Sequence, residues 1–229
     1  LEQLGFLQLG ADWEELDFVT LRRIQRFTRD EDYNLGFGIF PAVAWAPPAR
    51  LLGTTGSQVL PSVTVRKNFA WEDNLVLFNT GYRSKYSNGG NSNRVASLDA
   101  AYFMYRFNNQ TLAAHAGVDL GWRLDPAAPL FLGEINGLRG YGLSEFSGNR
   151  RFLFNIEDRV YVHDDLFRLL DVGAVAFYDT GYSWPASKTV DPSDLKSSVG
   201  VGLRLASSRS AGNSPVRVDL AYPLNDHYG

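Results

Sequence analysis

Residues 130–141 of the chain run Leu-Phe-Leu-Gly-Glu-Ile-Asn-Gly-Leu-Arg-Gly-Tyr, and the interpretation of the whole sequence starts here. They lie within a break, at about 123–151, between segments whose polarity alternates. The break is too apolar for a loop surrounded by water, since it contains Leu130, Phe131, Leu132, Ile135 and Leu138. We therefore expect it to fold back onto the protein, where its apolar side chains can be buried.

Ten segments of alternating or apolar character surround this break, and no part of the chain shows the periodicity of an amphipathic helix. Most segments reach the roughly 9 to 11 residues of a tilted membrane strand and exceed the roughly 5 to 6 residues usual in soluble sheets. Their length favours a barrel over a sandwich. The predicted segments are 16–27, 35–46, 58–69, 74–85, 94–107, 110–122, 152–162, 169–182, 196–206 and 215–223, with the end of a further strand within 1–13.

The last segments alternate most clearly. In 198–205 every odd position is Val or Leu, whereas the even positions are Ser, Gly, Gly and Arg. The segments 170–179 and 216–222 repeat the pattern, with one apolar face and one face that carries Asp, Gly or Arg. Membrane strands alternate in this way between lipid and a polar lumen, so their hydropathy averages to a neutral value. The mean hydropathy of -0.19 is therefore compatible with a membrane barrel.

Composition excludes several classes of protein. The 229 residues include no Cys, which excludes a disulfide-stapled fold and zinc-ribbon or thiol chemistry. The 22 Lys and Arg nearly balance the 25 Asp and Glu, so the net charge of -3 provides no basic field for nucleic acid. No stretch approaches the roughly 18 apolar residues of a membrane helix. The chain opens at Leu1 without a signal-peptide pattern, and we expect it to be part of a longer protein.

The segment Leu138-Arg139-Gly140-Tyr141 resembles a motif of one known family. This is the bacterial surface antigen family of outer-membrane barrels, which includes the outer-membrane protein assembly factor, the translocation and assembly module barrel, and two-partner secretion transporters. In that family a long loop with a Val/Leu-Arg-Gly-Tyr/Phe motif folds back into a barrel of 16 strands.

Later segments resemble the same family, in the same order. Residues 155–159 are similar to its strand with an inward Glu, and 177–181 to its Phe-x-Asp-x-Gly strand. Two further matching segments follow, Gly-Val-Gly-Leu-Arg at 200–204 and Pro-Val-Arg-Val-Asp-Leu-Ala-Tyr-Pro at 215–223. The resemblance is close from the infolded loop to the end of 215–223, and only compositional over 1–122.

The resemblance implies that Arg139 pairs with the inward acids Glu157 and Asp179. An unpaired charge carried into a barrel costs several kcal/mol, so the guanidinium needs carboxylates, and it can donate to two of them. Gly140 then allows the backbone to pass close to the wall, and Tyr141 can pack beneath it. The alternative is a surface turn with a solvated Arg139. The other residues assigned to this arrangement are Leu138, Phe177, Gly181, Arg204, Arg217 and Asp219.

The sequence therefore predicts one domain over 1–229, an all-β transmembrane antiparallel barrel with an infolded loop at 123–151. The family has five strands after the loop, whereas we find four and no closing strand that ends in an aromatic residue. We expect the C-terminal part of a 16-stranded barrel, with about ten strands present and the last one missing. Because open edges are not tolerated in lipid, either further residues close the sheet or about ten strands close on themselves; we favour further residues.

Some local features carry expectations of their own. Pro41 and Pro61 fall inside predicted strands, where a missing N–H breaks a ladder, so we expect bulges or strand ends there. By alternation Asp158 faces lipid, which is costly at mid-bilayer unless a bulge resets the register. The polar stretches 86–93, 183–195 and 207–214 are predicted as long loops. Aromatic residues near strand ends suit interfacial belts, namely Tyr33, Trp45, Trp71, Tyr82, Trp122, Tyr161, Tyr182 and Trp184.

An enzymatic function would depend on His115, His163 or His227, and none of these lies in a recognisable motif. His115 shares the inward phase with Asp119, a combination that suggests a lipid-cleaving barrel. The sites of such barrels face lipid, however, so we expect an ordinary hydrogen bond in the lumen. His163 and the two Asp residues after it are typical of a polar turn. We predict no enzymatic activity, no metal and no cofactor.

The resemblance implies a barrel of the bacterial outer membrane that inserts or translocates polypeptides without a chemical step. The implied partners are the lipid bilayer, client polypeptides, and periplasmic repeats or lipoproteins, with no nucleic acid. Three alternatives stay open: a passive solute channel, a soluble β-sandwich binding module, and a barrel that anchors or exports a fused N-terminal effector domain. Insertion, secretion and lipid transport are not distinguished by the sequence.

Overall fold

The computed structural model describes residues 5–26, 29–48, 56–107, 109–208 and 215–225. This part of the chain is built of β-strands, with two single-turn 3-10 helices at Glu134–Asn136 and Pro192–Asp194. The prediction of an all-β fold is therefore confirmed. Within the same ranges there is no helix long and apolar enough to cross a bilayer.

The strands are numbered in chain order. They are β1 (Leu7–Gly10), β2 (Trp13–Glu14), β3 (Phe18–Arg22), β4 (Asp30–Asn34), β5 (Phe37–Ala46), β6 (Gln58–Trp71), β7 (Asn74–Ser87), β8 (Gly90–Phe107), β9 (Gln110–Trp122), β10 (Leu130–Leu132), β11 (Phe146–Gly148), β12 (Arg150–Leu166), β13 (Leu170–Trp184), β14 (Lys196–Ser207) and β15 (Val216–Pro223).

Eleven of these strands form one antiparallel sheet, which we call the wall. Its order is β1-β5-β6-β7-β8-β9-β12-β13-β14-β15, and β2 also pairs with β5. The strand pairs β3–β4 and β10–β11 form two small separate sheets. Among the described residues the large sheet is not closed, because β15 forms one edge while β1 and β2 form the other.

Most of the predicted segments lie in this sheet. The nine segments from 35–46 to 215–223 coincide with its strands, and the predicted strand end within 1–13 corresponds to β1 and β2. The segment 16–27 was expected to be another strand of the large sheet, which is wrong, since among the described residues β3 pairs with β4 alone, in a hairpin. The long loop predicted at 86–93 is also wrong, because β7 and β8 continue through it to a two-residue turn.

Side chains alternate between the two faces of the large sheet. We call the face that carries the infolded loop the inner face. On β14, Ser198 and Arg204 are buried on the inner face, whereas Val201 and Leu203 are 58% and 52% exposed on the outer face. Leu220 of β15 is 75% exposed on the same outer face. The predicted alternation is confirmed here, and it leaves an apolar outer surface of the kind that suits lipid.

The two prolines lie within continuous strands. Beside Pro41, the neighbouring strand is interrupted at residues 11–12, between β1 and β2. Beside Pro61, the ladder between β6 and β7 lacks pairs at residues 60–61. Neither proline ends its own strand, so the expectation of strand ends is wrong, but the register between β7 and β8 shifts at residues 83–85, beside the gap at Pro61. Each strand continues, and because Pro has no N–H, pairing is interrupted on one side only.

Asp158 lies on the outer face, as the alternation predicts. The side-chain amide of Gln110 on the neighbouring strand donates to both of its carboxylate oxygens, over 2.7 and 2.9 Å. No bulge resets the register at this point, because β12 pairs regularly with β9 from Arg150 to Val160. The two hydrogen bonds reduce the cost of an outward-facing acid.

The hairpin formed by β3 and β4 packs on the inner face. One end of the large sheet carries the turns at 72–73 and 167–169, and we call it the short-turn end. The bend of the hairpin lies near this end. Ile24 in this bend is fully buried against Leu75, Phe103 and Ala113 of the wall. The inner face therefore carries two infolded segments, the hairpin and the loop between β9 and β12.

Candidate functional site

The infolded loop is held to the wall by its own small core. Leu132, Leu138 and Tyr141 pack with Leu153 of β12, and Phe146 borders this cluster. Leu132 and Leu138 are fully buried. Burial of Leu130, Leu132 and Leu138 accounts for part of the apolar character of the break, whereas Phe131 and Ile135, which were also expected to be buried, are 40% and 69% exposed.

The loop backbone makes tight turns on both sides of Arg139. Gly137 and Gly140 have positive φ angles of 98° and 86°, which L side chains rarely adopt. A Cβ at Gly140 would lie 3.3 Å from the Cβ of Ala221 on β15. The glycine therefore allows the loop tip to lie directly on the wall, and the tip directs the side chain of Arg139 along the inner face.

Arg139 makes a forked ion pair with Asp179. Its Nε donates to Oδ2 and its Nη2 to Oδ1, both over 2.7 Å, and its backbone N–H also donates to Oδ2 over 3.3 Å. Asp179 is fully buried and lies on β13. Two parallel hydrogen bonds to one carboxylate fix the orientation of a guanidinium as well as its position.

The third nitrogen of the guanidinium is directed at two further acids. Nη1 donates to Oε1 of Glu157 over 2.7 Å and lies 3.4 Å from Oδ2 of Asp219. The ring of Phe177 lies under the guanidinium, with its centroid 3.5 Å from Cζ. We call Arg139, Glu157, Asp179 and Asp219 the arginine cluster. It joins the loop to three wall strands, β12, β13 and β15.

Two wall arginines complete the charge balance around the cluster. Arg204 of β14 donates to both oxygens of Asp219, and Arg159 of β12 donates through Nε to Oε2 of Glu157 over 2.8 Å. A Cβ at position 202 would collide with the carboxylate of Asp219, so a glycine is required there. Three arginines thus face three acids, which limits the cost of burying each charge.

The guanidinium of Arg139 is held in its charged form. Burial alone would lower the pKa of Arg139. The hydrogen bonds and negative charge of Asp179, followed by those of Glu157, outweigh this effect and raise the pKa above its ordinary value. Arg139 therefore remains a cation for its carboxylate partners across the ordinary pH range.

Tyr141 anchors the loop on the far side of Arg139. It is 4% exposed, and its hydroxyl donates to the carbonyl oxygen of Ser197 on β14 over 2.9 Å. Its ring meets that of Phe146 edge-on, with centroids 5.5 Å apart. Burial raises the pKa of Tyr141, which keeps its hydroxyl protonated as a donor.

The structure brings together most of the residues that the sequence singled out. Leu138, Arg139, Gly140, Tyr141, Glu157, Asp179, Phe177, Arg204 and Asp219 all lie in or against the arginine cluster. Gly181 lies one step further along β13, facing Leu132 of the loop. Arg217 is not brought into the cluster, although it lines the same open cavity of about 440 Å³ on the inner face.

Asn155 belongs to this site, and our sequence reasoning gave it no role. Its side-chain amide donates to Oδ1 of Asp179 over 2.7 Å and to the carbonyl oxygen of Gly137 over 2.8 Å. It therefore connects the wall acid to the loop backbone. A signal was present in the sequence, since Asn155 has the same inward phase as Glu157 two positions later.

The histidines do not form a catalytic group with the residues predicted beside them. Nε2 of His115 lies 2.6 Å from Oδ2 of Asp99, and Nδ1 lies 3.3 Å from Oδ1 of Asn155. Asp119, the expected neighbour, instead pairs with Arg151. His163 is part of β12 rather than of a turn, which corrects the expectation for 163–165. His227 lies outside the described residues.

No cluster suited to a metal ion is found where the chain is described. Three or more His, Asp or Glu side chains do not converge there in a way that could hold one.

Comparisons with known proteins agree with the architecture. No protein-family model matches the sequence, and the curated proteins searched contain no match. Among solved structures, the chain is similar to CdiB from Escherichia coli, with a TM-score of 0.56 and 18% sequence identity. The alignment covers 95% of this chain and 45% of that chain, so the present chain spans less than half of the CdiB length. At this identity the similarity shows a shared fold.

Proposed function

We propose that this chain is part of an outer-membrane barrel that exports polypeptides. The observation that carries the proposal is the arginine cluster: a loop tip folded onto the inner face, with Arg139 bonded to Asp179 and Glu157. The fold shared with CdiB, a two-partner secretion transporter, also supports polypeptide export. It favours secretion over membrane insertion among the tasks that the family resemblance implies.

Further strands complete the sheet in this proposal. Where the chain is described, no further strand pairs with the edges β1, β2 and β15, and unpaired backbone N–H and C=O groups cannot face hydrocarbon without a large cost. Additional strands of the full-length protein would pair with both edges and produce the 16-stranded barrel expected from the family resemblance. The coverage of 45% of the CdiB chain leaves room for them.

The barrel then works through its shape, without a chemical step. Its outer face presents Val201, Leu203 and Leu220 to lipid, while the inner face offers paired charges and an open cavity. An extended polypeptide can pass such a surface because the charges are already neutralised by one another and bind it weakly. The loop held by Arg139 sets the space left beside the inner face, and the rigidity of the wall, along the path of the polypeptide.

The proposed location is the bacterial outer membrane, and the proposed partners are the lipid bilayer and client polypeptides. Periplasmic repeats or lipoproteins are further candidates that follow from the family resemblance alone. The domain assignment of 1–229 as a partial barrel with an infolded loop at 123–151 forms part of this proposal.

A secretion experiment tests the proposal even while the client is unidentified. Polypeptides in the culture medium are compared by mass spectrometry among cells that carry the intact gene, a deletion, Arg139→Ala, or Lys188→Ala. Lys188 is a matched control, because it forms an exposed ion pair with Asp194 outside the arginine cluster. We expect the deletion to remove specific polypeptides from the medium, and Arg139→Ala to reduce the same ones.

Single-channel conductance distinguishes a passive solute channel from a polypeptide exporter. The purified full-length protein is inserted into planar bilayers, and the single-channel currents of the parent and Arg139→Ala proteins are recorded. If the deletion leaves the medium unchanged while solute conductance explains the phenotype, the chain is a solute channel and the export proposal is wrong. Loss of one fused effector domain from the cell surface would instead identify an anchoring barrel.

A further inference from the structure

The hairpin on the inner face is bonded to the wall at its bend. The carbonyl oxygen of Arg23 accepts hydrogen bonds from the hydroxyl of Thr111, over 2.8 Å, and from that of Tyr161, over 2.6 Å. Nη1 of Arg159 donates to the carbonyl oxygen of Ile24 over 3.0 Å. Tyr161, expected in an interfacial belt, is 8% exposed on the inner face instead. Three wall side chains thus bind two successive backbone carbonyls.

The bend is braced within the hairpin by a buried acid. Glu31 accepts hydrogen bonds from the backbone N–H groups of Ile24, Gln25 and Arg26, each over 3.0 Å. The hydroxyl of Tyr33 donates to the same carboxylate over 2.8 Å. Burial, followed by the negative charge of Glu31, raises the pKa of Tyr33, so its hydroxyl stays protonated. These hydrogen bonds lie within the hairpin, so its release from the wall does not require breaking them.

Arg159 contacts the hairpin directly and reaches the infolded loop through Glu157 of the wall. It donates through Nη1 to Ile24 of the hairpin and through Nε to Oε2 of Glu157, over 2.8 Å. The other oxygen of Glu157 accepts from Arg139 over 2.7 Å. One chain of charge-assisted hydrogen bonds therefore runs from the loop tip, through Glu157 and Arg159, to the buried bend of the hairpin.

We propose that Arg159 is a positioning residue that couples docking of the hairpin at the short-turn end to docking of the loop that carries Arg139. Loss of the Arg139 guanidinium leaves Glu157 and the fully buried Asp179 short of positive charge. Nη2 of Arg204 lies 3.9 Å from Oε1 of Glu157 but Arg204 is bonded to Asp219, whereas Arg159 is already bonded to Glu157 and shifts toward the oxygen that Arg139 leaves. This shift breaks its hydrogen bond to Ile24, and the hairpin is released more often.

The absence of cysteine from the chain provides a direct test. Ile24→Cys is introduced into the full-length protein, with any cysteine outside residues 1–229 replaced by serine, and places a single thiol in the buried bend, where a maleimide reacts only when the bend opens. Its labelling rate is measured alone and together with Arg139→Ala, Arg159→Ala or Arg151→Ala. Arg151 is the matched control, since it pairs with Asp119 and contacts the loop at Phe131 without contacting Glu157.

We expect Arg159→Ala to accelerate labelling by about tenfold or more, the effect of losing a hydrogen bond from a charged donor. Arg139→Ala should accelerate it several-fold, and Arg151→Ala should leave it unchanged. An Arg139→Ala rate equal to the parent rate would overturn the coupling. An unchanged rate in Arg159→Ala would overturn the role of Arg159 itself.

A second cysteine position controls for disruption of the bend by Ile24→Cys. Ala113→Cys lies on the wall beneath Ile24, is 5% exposed, and adds only a sulfur atom. The same order of rates is expected from it. Far-ultraviolet circular dichroism of each variant checks that the protein is folded. Equal acceleration of maleimide labelling in all three arginine variants would show general loosening and overturn the proposal. Because labelling requires no client, its outcome is independent of the secretion experiment.

Discussion

Asn155 and Asp179 lie directly opposite each other on β12 and β13, and the amide of Asn155 donates to Oδ1 of Asp179 over 2.7 Å. This cross-strand pair orients the buried carboxylate from the wall side. The remaining lone pairs of Asp179 face the guanidinium of Arg139. The wall and the loop thus hold the same acid from two sides.

We predict that Asn155→Ala destabilises the protein by about 1 to 3 kcal/mol, because the carbonyl oxygen of Gly137 and one oxygen of Asp179 lose their donor. Urea unfolding in detergent, followed by tryptophan fluorescence, measures this change. Asn155→Asp should be worse, since it places a second carboxylate beside Asp179. Equal stability of the parent and Asn155→Asp would show that the pair does not orient the acid.

Asp179→Asn should destabilise the protein by about 3 to 5 kcal/mol, since it leaves the Arg139 guanidinium without its forked partner. The matched control is Asp194→Asn, which removes an exposed acid paired with Lys188 and should change little. The same urea titration applies to both. Similar small effects in the two variants would contradict a dominant role for the buried pair.

Gly140→Ala should weaken docking of the loop, because it forces a side chain into a backbone with φ of 86° and against Ala221. Strain of this kind costs about 1 to 3 kcal/mol. Limited proteolysis of the folded protein, with cleavage mapped to 123–149, measures loop release. Gly89→Ala is the control, as a Cβ there meets nothing within 4 Å. Equal cleavage of both variants would contradict the prediction.

Leu220→Arg should destabilise the barrel in lipid by about 2 to 4 kcal/mol if Leu220 lies near the bilayer midplane. Ala186→Arg, at an exposed position between β13 and β14, should have little effect. Unfolding titrations of the full-length protein in vesicles measure both variants. A neutral Leu220→Arg would indicate that the outer face of β15 is covered by protein or water.

The strands from β12 to β15 could be predicted because each alternates between an apolar and a polar face with period two. The infolded loop was also recognisable, since Leu132 and Leu138 are too apolar for a solvated segment. Pairing of Arg139 with two inward acids follows from the cost of burying a lone charge. The role of this pairing in export stays a prediction.

The hairpin β3–β4 could not be predicted in the same way. Its strands alternate as wall strands do, and only contacts distant in sequence, such as that of Ile24 with Phe103, decide that it packs on the inner face. The turn between β7 and β8 was missed because Gly, Ser and Asn are typical of loops, yet cross-strand pairs such as Tyr86 with Asn91 extend the ladder through them. Tertiary pairing there outweighs local composition.

The interruption beside Pro41 has a mechanical consequence. The edge formed by β1 and β2 is attached to β5 through two short ladders, Leu7–Gly10 and Trp13–Glu14, whereas β15 is attached to β14 through one continuous ladder. Under a pulling force, short ladders rupture one after the other at lower load than a continuous one. In the described part of the chain, the edge formed by β1 and β2 should therefore detach at a lower load than β15, although the N–H of Ala11 still donates to the carbonyl oxygen of Pro41.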